Sequence, residues 1–107
     1  MAVYVGERAS DGARVLVDGR PLDPRQDLRL ISANGFEWTY EGAEPAQLAL
    51  ALLAHHLGDG AAALRLYEAF MREVVANFAN EWTLTGDDID AALARLAPAD
   101  GGKGGKR

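Results

Sequence analysis

The first 18 residues alternate between apolar and polar positions in the way that two short β-strands require. Residues 3–5 and 13–18 are rich in valine, and the Ser-Asp-Gly sequence at 10–12 is typical of a turn between them. Because side chains alternate across a strand, one set of residues is expected to face the core. The residues predicted to be buried are Val3, Val5, Val15 and Val17.

A β-hairpin is predicted for residues 27–31 and 36–40. A two-residue turn between them would divide the apolar side chains between the two faces of the sheet. A three-residue loop at 33–35 pairs Leu30 with Trp38 and keeps the apolar residues together, because a shift of one residue exchanges the faces. We therefore expect the three-residue loop, with five side chains on one face: Leu28, Leu30, Phe36, Trp38 and Tyr40.

The second half of the chain has the periodicity of three helices. The first begins at Glu44, ends at a Gly58 cap and is apolar on nearly every side, which is typical of a buried helix. The second, residues 61–78, has a single apolar stripe at helical spacing. The third begins after Thr85, a favourable N-cap, and is expected to end at Pro98.

These elements predict the α+β class. A small antiparallel sheet of three to four strands from the N-terminal half is expected to pack against the three C-terminal helices. Residues 1–97 are predicted to form one globular domain. Residues 98–107, which are rich in glycine and lysine, are predicted to form a flexible tail.

Composition and charge narrow the possible functions. The chain has 107 residues and a net charge of -5. The segment after residue 99 holds three basic side chains and one acidic one, so the remaining body carries -7. We expect so acidic a body to repel nucleic-acid backbones rather than bind them. Cysteine is absent, which excludes disulfides, thiol catalysis and cysteine-ligated metal sites.

The apolar runs are far shorter than the roughly 20 residues that a membrane-spanning helix needs. The first residues, MAVYVGER, contain neither a basic leader nor a long apolar segment. We therefore expect a cytoplasmic protein that does not bind membranes.

Carboxylates are the most abundant candidate binding groups. Glu37, Glu41 and Glu44 precede or begin the first helix, and Asp87 and Asp88 begin the third. Because no motif supplies them with a basic or nucleophilic partner, we predict neither enzymatic activity nor a cofactor. Carboxylates on a compact body can instead imitate a phosphate backbone and occupy the basic groove of another protein. Our first hypothesis is that these five residues contact a protein with a basic surface.

A second hypothesis places a small-ligand site at the turn before the first helix. A helix N-terminus that follows a glycine-containing turn can bind a nucleotide or another anion through its free amides. Glu41 and Glu44 would compete with a phosphate at this position, which favours an acidic helix cap. The residues of this alternative site are Gly42, Ala43, Gln47 and Tyr40.

His55, His56 and Asp59 are candidate metal ligands. Neighbouring helix residues point about 100° apart, whereas good pairs of helical ligands lie at i,i+4. Histidines at the negative end of a helix also have an ordinary electrostatic role. We therefore predict no metal site.

Four sequence blocks carry a resemblance to a known family. They are Gly-Phe-Glu-Trp at 35–38, Pro-Ala-Gln-Leu-Ala-Leu-Ala-Leu-Leu at 45–53, Leu-Tyr-Glu-Ala-Phe at 66–70 and Trp-Thr-Leu-Thr at 82–85. Over about residues 3–93 the chain resembles a family of small uncharacterised proteins from bacteria, plasmids and phages, the domain of unknown function numbered 6166. The resemblance implies a small accessory protein of mobile or bacterial DNA and supplies no catalytic residues. In that setting, the expected role is inhibition of a host defence or nucleic-acid-binding protein.

Overall fold

A four-stranded antiparallel sheet and three helices form the structure, a computed structural model that describes residues 2–105 and, of these, the side chains of residues 2–96. The α+β class predicted from the sequence is confirmed. The elements are β1 (Val3–Ala9), β2 (Gly12–Val17), β3 (Arg20–Pro21), α1 (Ala43–Leu57), α2 (Gly60–Glu73), a 3-10 turn (Val75–Asn77), β4 (Trp82–Thr85) and α3 (Gly86–Gly105).

The sheet has the order β3-β2-β1-β4, so its two edges come from different halves of the chain. Three strands lie in the N-terminal half, as expected. The fourth, β4, lies directly before the third helix, in a segment for which no strand is predicted from the sequence. It pairs antiparallel to β1, with Tyr4 opposite Leu84 and Gly6 opposite Trp82. Because α3 follows β4 directly, this pairing connects the C-terminal helix to β1, a central strand of the sheet.

The phase of alternation in β1 differs from the prediction. Tyr4 is fully buried, whereas Val3 remains 38% exposed. Val15 and Val17 in β2 are buried as expected. The phase follows from the pairing, because Tyr4 lies opposite Val17 and its side chain therefore points to the helical side of the sheet.

The hairpin predicted for residues 27–31 and 36–40 is wrong. Residues 22–42, here called the connecting loop, contain no strand. Trp38 is fully buried, but Leu30 is 63% and Tyr40 45% exposed. The apolar residues of this segment therefore do not share one face. The physical reason lies in the hydrogen bonds that the loop makes to α1, which are described with the candidate site.

α1 is buried on all sides, as predicted. Its ten consecutive residues 45–54 are all buried. Gly58 ends the helix in the left-handed conformation at φ 63°, where glycine is favoured, and its N–H bonds to the Ala54 carbonyl. α2 packs along α1 through its buried residues Ala63, Tyr67, Phe70 and Met71. It ends at Glu73, earlier than predicted, and the 3-10 turn continues the chain.

An aromatic cluster closes the core beside β1. The Trp82 indole stacks on Phe78 with ring centroids 4.2 Å apart and meets Trp38 edge-on at 5.6 Å. Its ring also lies directly over Gly6, where an added Cβ would be 2.2 Å from the indole. The Trp38 indole N–H donates to the carbonyl oxygen of Asn80 at 2.9 Å. Gly6 is therefore required by packing, because any side chain would displace Trp82.

Tyr4 connects the sheet to the end of α1. Its hydroxyl lies 2.7 Å from Nδ1 of His55, and the two rings meet edge-on. Burial raises the pKa of Tyr4 to about 12, and the negative charge of Asp18 acts in the same direction. The phenol therefore stays protonated across the ordinary pH range.

α3 begins with a reciprocal cap. The Thr85 hydroxyl accepts a hydrogen bond from the Asp88 N–H at 3.1 Å, and the Asp88 carboxylate accepts one from the Thr85 N–H at 2.9 Å. The predicted N-cap is thus confirmed.

The far end of α3 differs from the expectation, because the helix runs past Pro98 to Gly105. A proline within a helix removes one backbone hydrogen bond and need not end the helix. The predicted division into a domain of residues 1–97 and a flexible tail stays a prediction. Its last two residues, Lys106 and Arg107, lie outside the described residues.

We expect the substitution Gly6→Ala to lower the free energy of unfolding by about 1–3 kcal/mol, because the new methyl group would clash with the Trp82 ring. Urea unfolding would measure the loss. In a Trp82→Leu background the same change should have a much smaller effect, because a flexible leucine can move aside. Equal losses in both backgrounds would show that the clash is not the cause.

We expect the free energy of unfolding to fall as the pH rises from about 10 to about 12. Over this range the unfolded chain has lost the Tyr4 proton while the folded protein retains it, since its folded pKa is about 12. Below about pH 10 the contribution is fully present. Denaturant unfolding at several alkaline pH values would measure the slope. The Tyr4→Phe variant should show a shallower fall, and an unchanged slope would contradict this assignment.

Candidate functional site

The first part of the connecting loop is bonded to one buried side chain, the amide of Gln47 on α1. Gln47 is fully buried. Its Oε1 accepts hydrogen bonds from the N–H groups of Ile31 at 2.8 Å and Ser32 at 2.9 Å. Its Nε2 donates to the carbonyl oxygens of Pro24 at 2.7 Å and Arg29 at 3.2 Å. All four hydrogen-bonding positions of the amide are therefore used by loop backbone.

These bonds explain why residues 22–42 do not form a hairpin. Buried backbone groups need partners, and a strand would normally supply them. Here Gln47 supplies them from the helix, and the Gln26 amide adds a bond to the Ser32 carbonyl at 2.9 Å. Irregular loops longer than roughly 12–15 residues are uncommon in compact domains and are usually functional or disordered. This loop is fixed to the core, which favours a functional role.

A second set of bonds fixes the loop to the first turn of α1. The Tyr40 hydroxyl donates to Oε1 of Glu44 at 3.2 Å, and the Ser32 hydroxyl donates to its Oε2 at 3.3 Å. Burial raises the pKa of Tyr40, and its hydrogen bond to Glu44 raises it further. The Glu44 carboxylate thus joins two points of the loop at the positive end of the helix, where a negative charge is favourable.

The loop also contains a strained residue. Thr39 has φ 85°, in the left-handed region that a β-branched side chain rarely adopts. Its N–H donates to the Val75 carbonyl at 3.3 Å, which holds it to the 3-10 turn. Such strain is typical of segments whose shape is needed for binding or catalysis. Thr39 lies directly before Tyr40, so this backbone conformation leads into the residue that bonds to Glu44.

Several residues are exposed where the loop covers the first turns of α1, and we call three of them the loop surface: Leu30, Tyr40 and Glu41. Leu30 lies between two residues bonded to Gln47, and Tyr40 is bonded to Glu44. Glu44 and Gln47 are one turn apart on the same face of the helix. Leu30 and Tyr40 are two of the three large hydrophobic residues that are exposed among the described side chains. The third, Val3, lies on the sheet.

The five predicted acidic residues do not form one patch. Asp90 of α3 lies 2.6 Å from His56, at the end of α1 opposite to Glu44. The ends of this helix are about 18 Å apart, so Asp87 and Asp88 are remote from the loop surface. Asp88 is also engaged in the cap with Thr85. The acidic residues near the start of α1 therefore lie apart from those at the start of α3 and cannot form one contact surface with them.

Glu37 forms a half-buried ion pair with an arginine of the same chain. Arg8 of β1 places Nη1 2.7 Å from the Glu37 carboxylate, donates from Nε to Asn80 Oδ1 and lies 4.6 Å from the Trp38 ring centroid. The interaction anchors the loop over the aromatic cluster. Of the three predicted acidic residues near α1, Glu41 is exposed, whereas Glu37 and Glu44 are half-buried.

The alternative small-ligand site receives little support from the geometry. Gln47 has no free hydrogen-bonding position, and Glu44 places a carboxylate at the turn. The Tyr40 ring packs on Gly42, where an added Cβ would lie 2.8 Å from the ring. Ala43 is exposed and contributes only backbone amides. A phosphate at this turn would therefore be repelled by the Glu44 carboxylate, and the Tyr40 ring occupies the space beside Gly42.

The histidines are used in contacts between elements. His55 bonds to Tyr4, and His56 bonds to Asp90. Asp59 caps α2 by accepting from the Ala62 N–H at 3.2 Å. In the part of the chain that the structure describes, no group of three or more His, Asp or Glu side chains is arranged to hold a metal ion.

A shallow cavity of about 260 Å³ lies on the sheet, lined by residues 5–7 of β1 and 81–83 at the start of β4. The pairing of these segments makes their backbones its floor. Glu7, one of its two carboxylates, pairs with Arg14 at 2.6 Å. No nucleophile and base converge among the residues that line this cavity.

Sequence reasoning missed Arg8, Ser32 and Asn80, each of which is bonded to a residue far away in the chain. It named Gln47, but as a ligand-binding residue rather than a structural one. One signal was available: Gln47 is the single polar residue within the apolar run 45–54. A buried amide in such a position has to be satisfied by backbone or side chains that surround the helix.

A comparison with protein families gives one match. A model described as a family of unknown function, DUF6166, matches residues 4–95, which include the sheet, the connecting loop, α1 and α2. The chain belongs to this family. The resemblance inferred from the sequence is thereby confirmed, although the source of the protein in bacteria, plasmids or phages is not established by the match. No curated protein and no solved structure matches the chain. Within the described residues, no helix has the length and apolar character needed to cross a membrane.

We expect Gln47→Ala to lower the free energy of unfolding by about 3–5 kcal/mol, because the buried Ser32 N–H and three partly buried backbone groups would lose their partner. The amides of Ile31 and Ser32 should also lose protection in hydrogen exchange. The matched control is Gln26→Ala, which removes one bond from an exposed side chain and should lower stability by less than about 1 kcal/mol. Similar losses for both variants would show that Gln47 does not organise the loop.

Proposed function

We propose that the protein is a small non-enzymatic binding module that contacts another protein through its loop surface. The observation that carries this proposal is the exposure of Leu30 and Tyr40 on a loop fixed to the core by Gln47. Exposed apolar and aromatic residues are typical of the centre of protein interfaces. A loop that is already ordered loses little entropy on binding, which favours affinity.

Charge supports a basic surface on the partner. The body of the chain carries -7, and Glu41 lies exposed on the loop surface. Negative groups around an apolar centre accelerate association with a basic protein and weaken its binding as salt is added. Glu37 and Glu44 are engaged within the protein and contribute through the overall field. Asp87 would belong to a separate contact.

The concrete role we propose is inhibition of a nucleic-acid-binding or host-defence protein in the cytoplasm, in the setting of a phage or another mobile element. An acidic body of this size can occupy a groove that otherwise holds a phosphate backbone. Membership of the family is compatible with this role but does not specify it, because the family has no known function. The partner, in this proposal, is a protein and not nucleic acid.

The proposal is tested by capturing partners from the native host and measuring their affinity for purified variants. Leu30→Ala and Tyr40→Ala should each weaken binding about tenfold or more, as residues at the centre of an interface do. Glu41→Gln should weaken it mainly at low salt. The matched controls are Val3→Ala and Asp11→Asn, which change an exposed apolar and an exposed acidic residue outside the proposed contacts. A partner that is lost with the controls and retained by the loop variants would refute the loop surface.

A further inference from the structure

Tyr40 is an exposed aromatic ring held in a fixed orientation. Its hydroxyl donates to Glu44 at 3.2 Å, and its ring packs against Gly42, where an added Cβ would lie 2.8 Å from Cε2. The strained backbone of Thr39 fixes its attachment point. Nevertheless 45% of the residue is accessible. A ring that is restrained at both ends and still accessible is suited to stacking, because little motion is lost when a ligand covers it.

The surroundings of this ring are negative. Glu44 places a carboxylate at its hydroxyl, and Glu41 is the next residue in the chain. The positive end of α1 opposes them with an effect equivalent to about half a unit charge. The charges of Glu37 and Arg8 also act on Tyr40, but these two groups pair with each other and largely cancel. The negative charges of Glu41 and Glu44 outweigh the helix term, so a cation is attracted to the ring and an anion is repelled.

The protein builds the corresponding complete arrangement two residues earlier in the chain. The Arg8 guanidinium lies 4.6 Å from the centroid of Trp38, and its Nη1 is 2.7 Å from the Glu37 carboxylate. In the described part of the chain, this is the one guanidinium that lies over an aromatic ring. Tyr40 and Glu44 provide the same two elements, an aromatic ring and a carboxylate, on an accessible surface. The third element would have to come from another molecule.

We propose that Tyr40 receives an arginine side chain of the partner protein, which stacks on the ring and pairs with the carboxylate of Glu41 or Glu44. This inference rests on the proposed function and names the chemical group that the loop surface recognises. Arginine fits better than lysine because its planar guanidinium stacks on an aromatic face and donates to a carboxylate at the same time. Leu30 then contacts apolar groups beside that arginine.

The inference can be tested without the partner, by NMR titration of the full chain with N-acetyl-arginine amide. We expect weak, saturable shifts of the Tyr40 ring and of the Glu41 amide. N-acetyl-citrulline amide, which has nearly the same shape but no charge, should produce none, and N-acetyl-lysine amide should bind more weakly. Tyr40→Leu should weaken arginine binding at least about fivefold, whereas Tyr40→Phe, which keeps the ring, should retain most of it.

Equal shifts with citrulline, or unchanged arginine binding by Tyr40→Leu, would overturn the inference. Because Tyr40 is exposed, both variants should fold, and their amide spectra would verify this. A captured partner separates the two proposals. If Leu30→Ala weakens binding of that partner while Tyr40→Leu and Tyr40→Phe bind it with equal affinity, the proposed binding surface is supported. The arginine contact is then wrong. If the arginine titration succeeds while no partner depends on the loop, the recognition of arginine stands and the proposed function fails.

Discussion

The structure depends on one interaction, the saturation of the Gln47 amide by the backbone of the connecting loop. A buried polar group without partners costs about 1–3 kcal/mol, so an amide and four backbone groups are stable here only when they meet each other. The helix and the loop are therefore mutually dependent. Helix α1 brings the amide to the middle of the core, and the loop cannot move away without leaving several groups unsatisfied. The irregular segment therefore has one fixed conformation, as a strand in a sheet would have.

Because Gln47 fixes the loop to α1, the inner side of the loop covers the core and its outer side is exposed to solvent. α1 is buried on every side because α2, the 3-10 turn and α3 pack against it, Tyr4 of the sheet contacts its last turn, and the loop is bonded to Gln47. The inner residues of the loop are fixed by packing and by the bonds to Arg8, Asn80 and Val75. These bonds also restrict the motion of the exposed residues of the loop. A surface that is supported in this way can present Leu30 and Tyr40 in one arrangement, which is what selective recognition requires.

The sequence was sufficient for the elements whose signal is local. The all-apolar helix, its Gly58 cap and the Thr85 cap were predicted because their residues interact with neighbours in the chain. The connecting loop was misassigned because the spacing of Leu28, Leu30, Phe36 and Trp38 imitates an alternating strand. Nothing in that local pattern indicates that a glutamine further along the chain supplies the hydrogen bonds. The pairing of Glu37 with Arg8 was missed for the same reason, since their contact is created only by the tertiary fold.

The cap of α3 has a consequence for the sheet. β4 is an edge strand, and edge strands expose backbone groups that can pair with another chain. Its last amide, that of Thr85, is already taken by the Asp88 carboxylate. Asp88, which caps α3, therefore also reduces the number of free backbone groups on the edge of β4 and places a negative charge beside that edge. An incoming strand would have to displace that carboxylate, so one aspartate both orders a helix and discourages the sheet from growing into an aggregate.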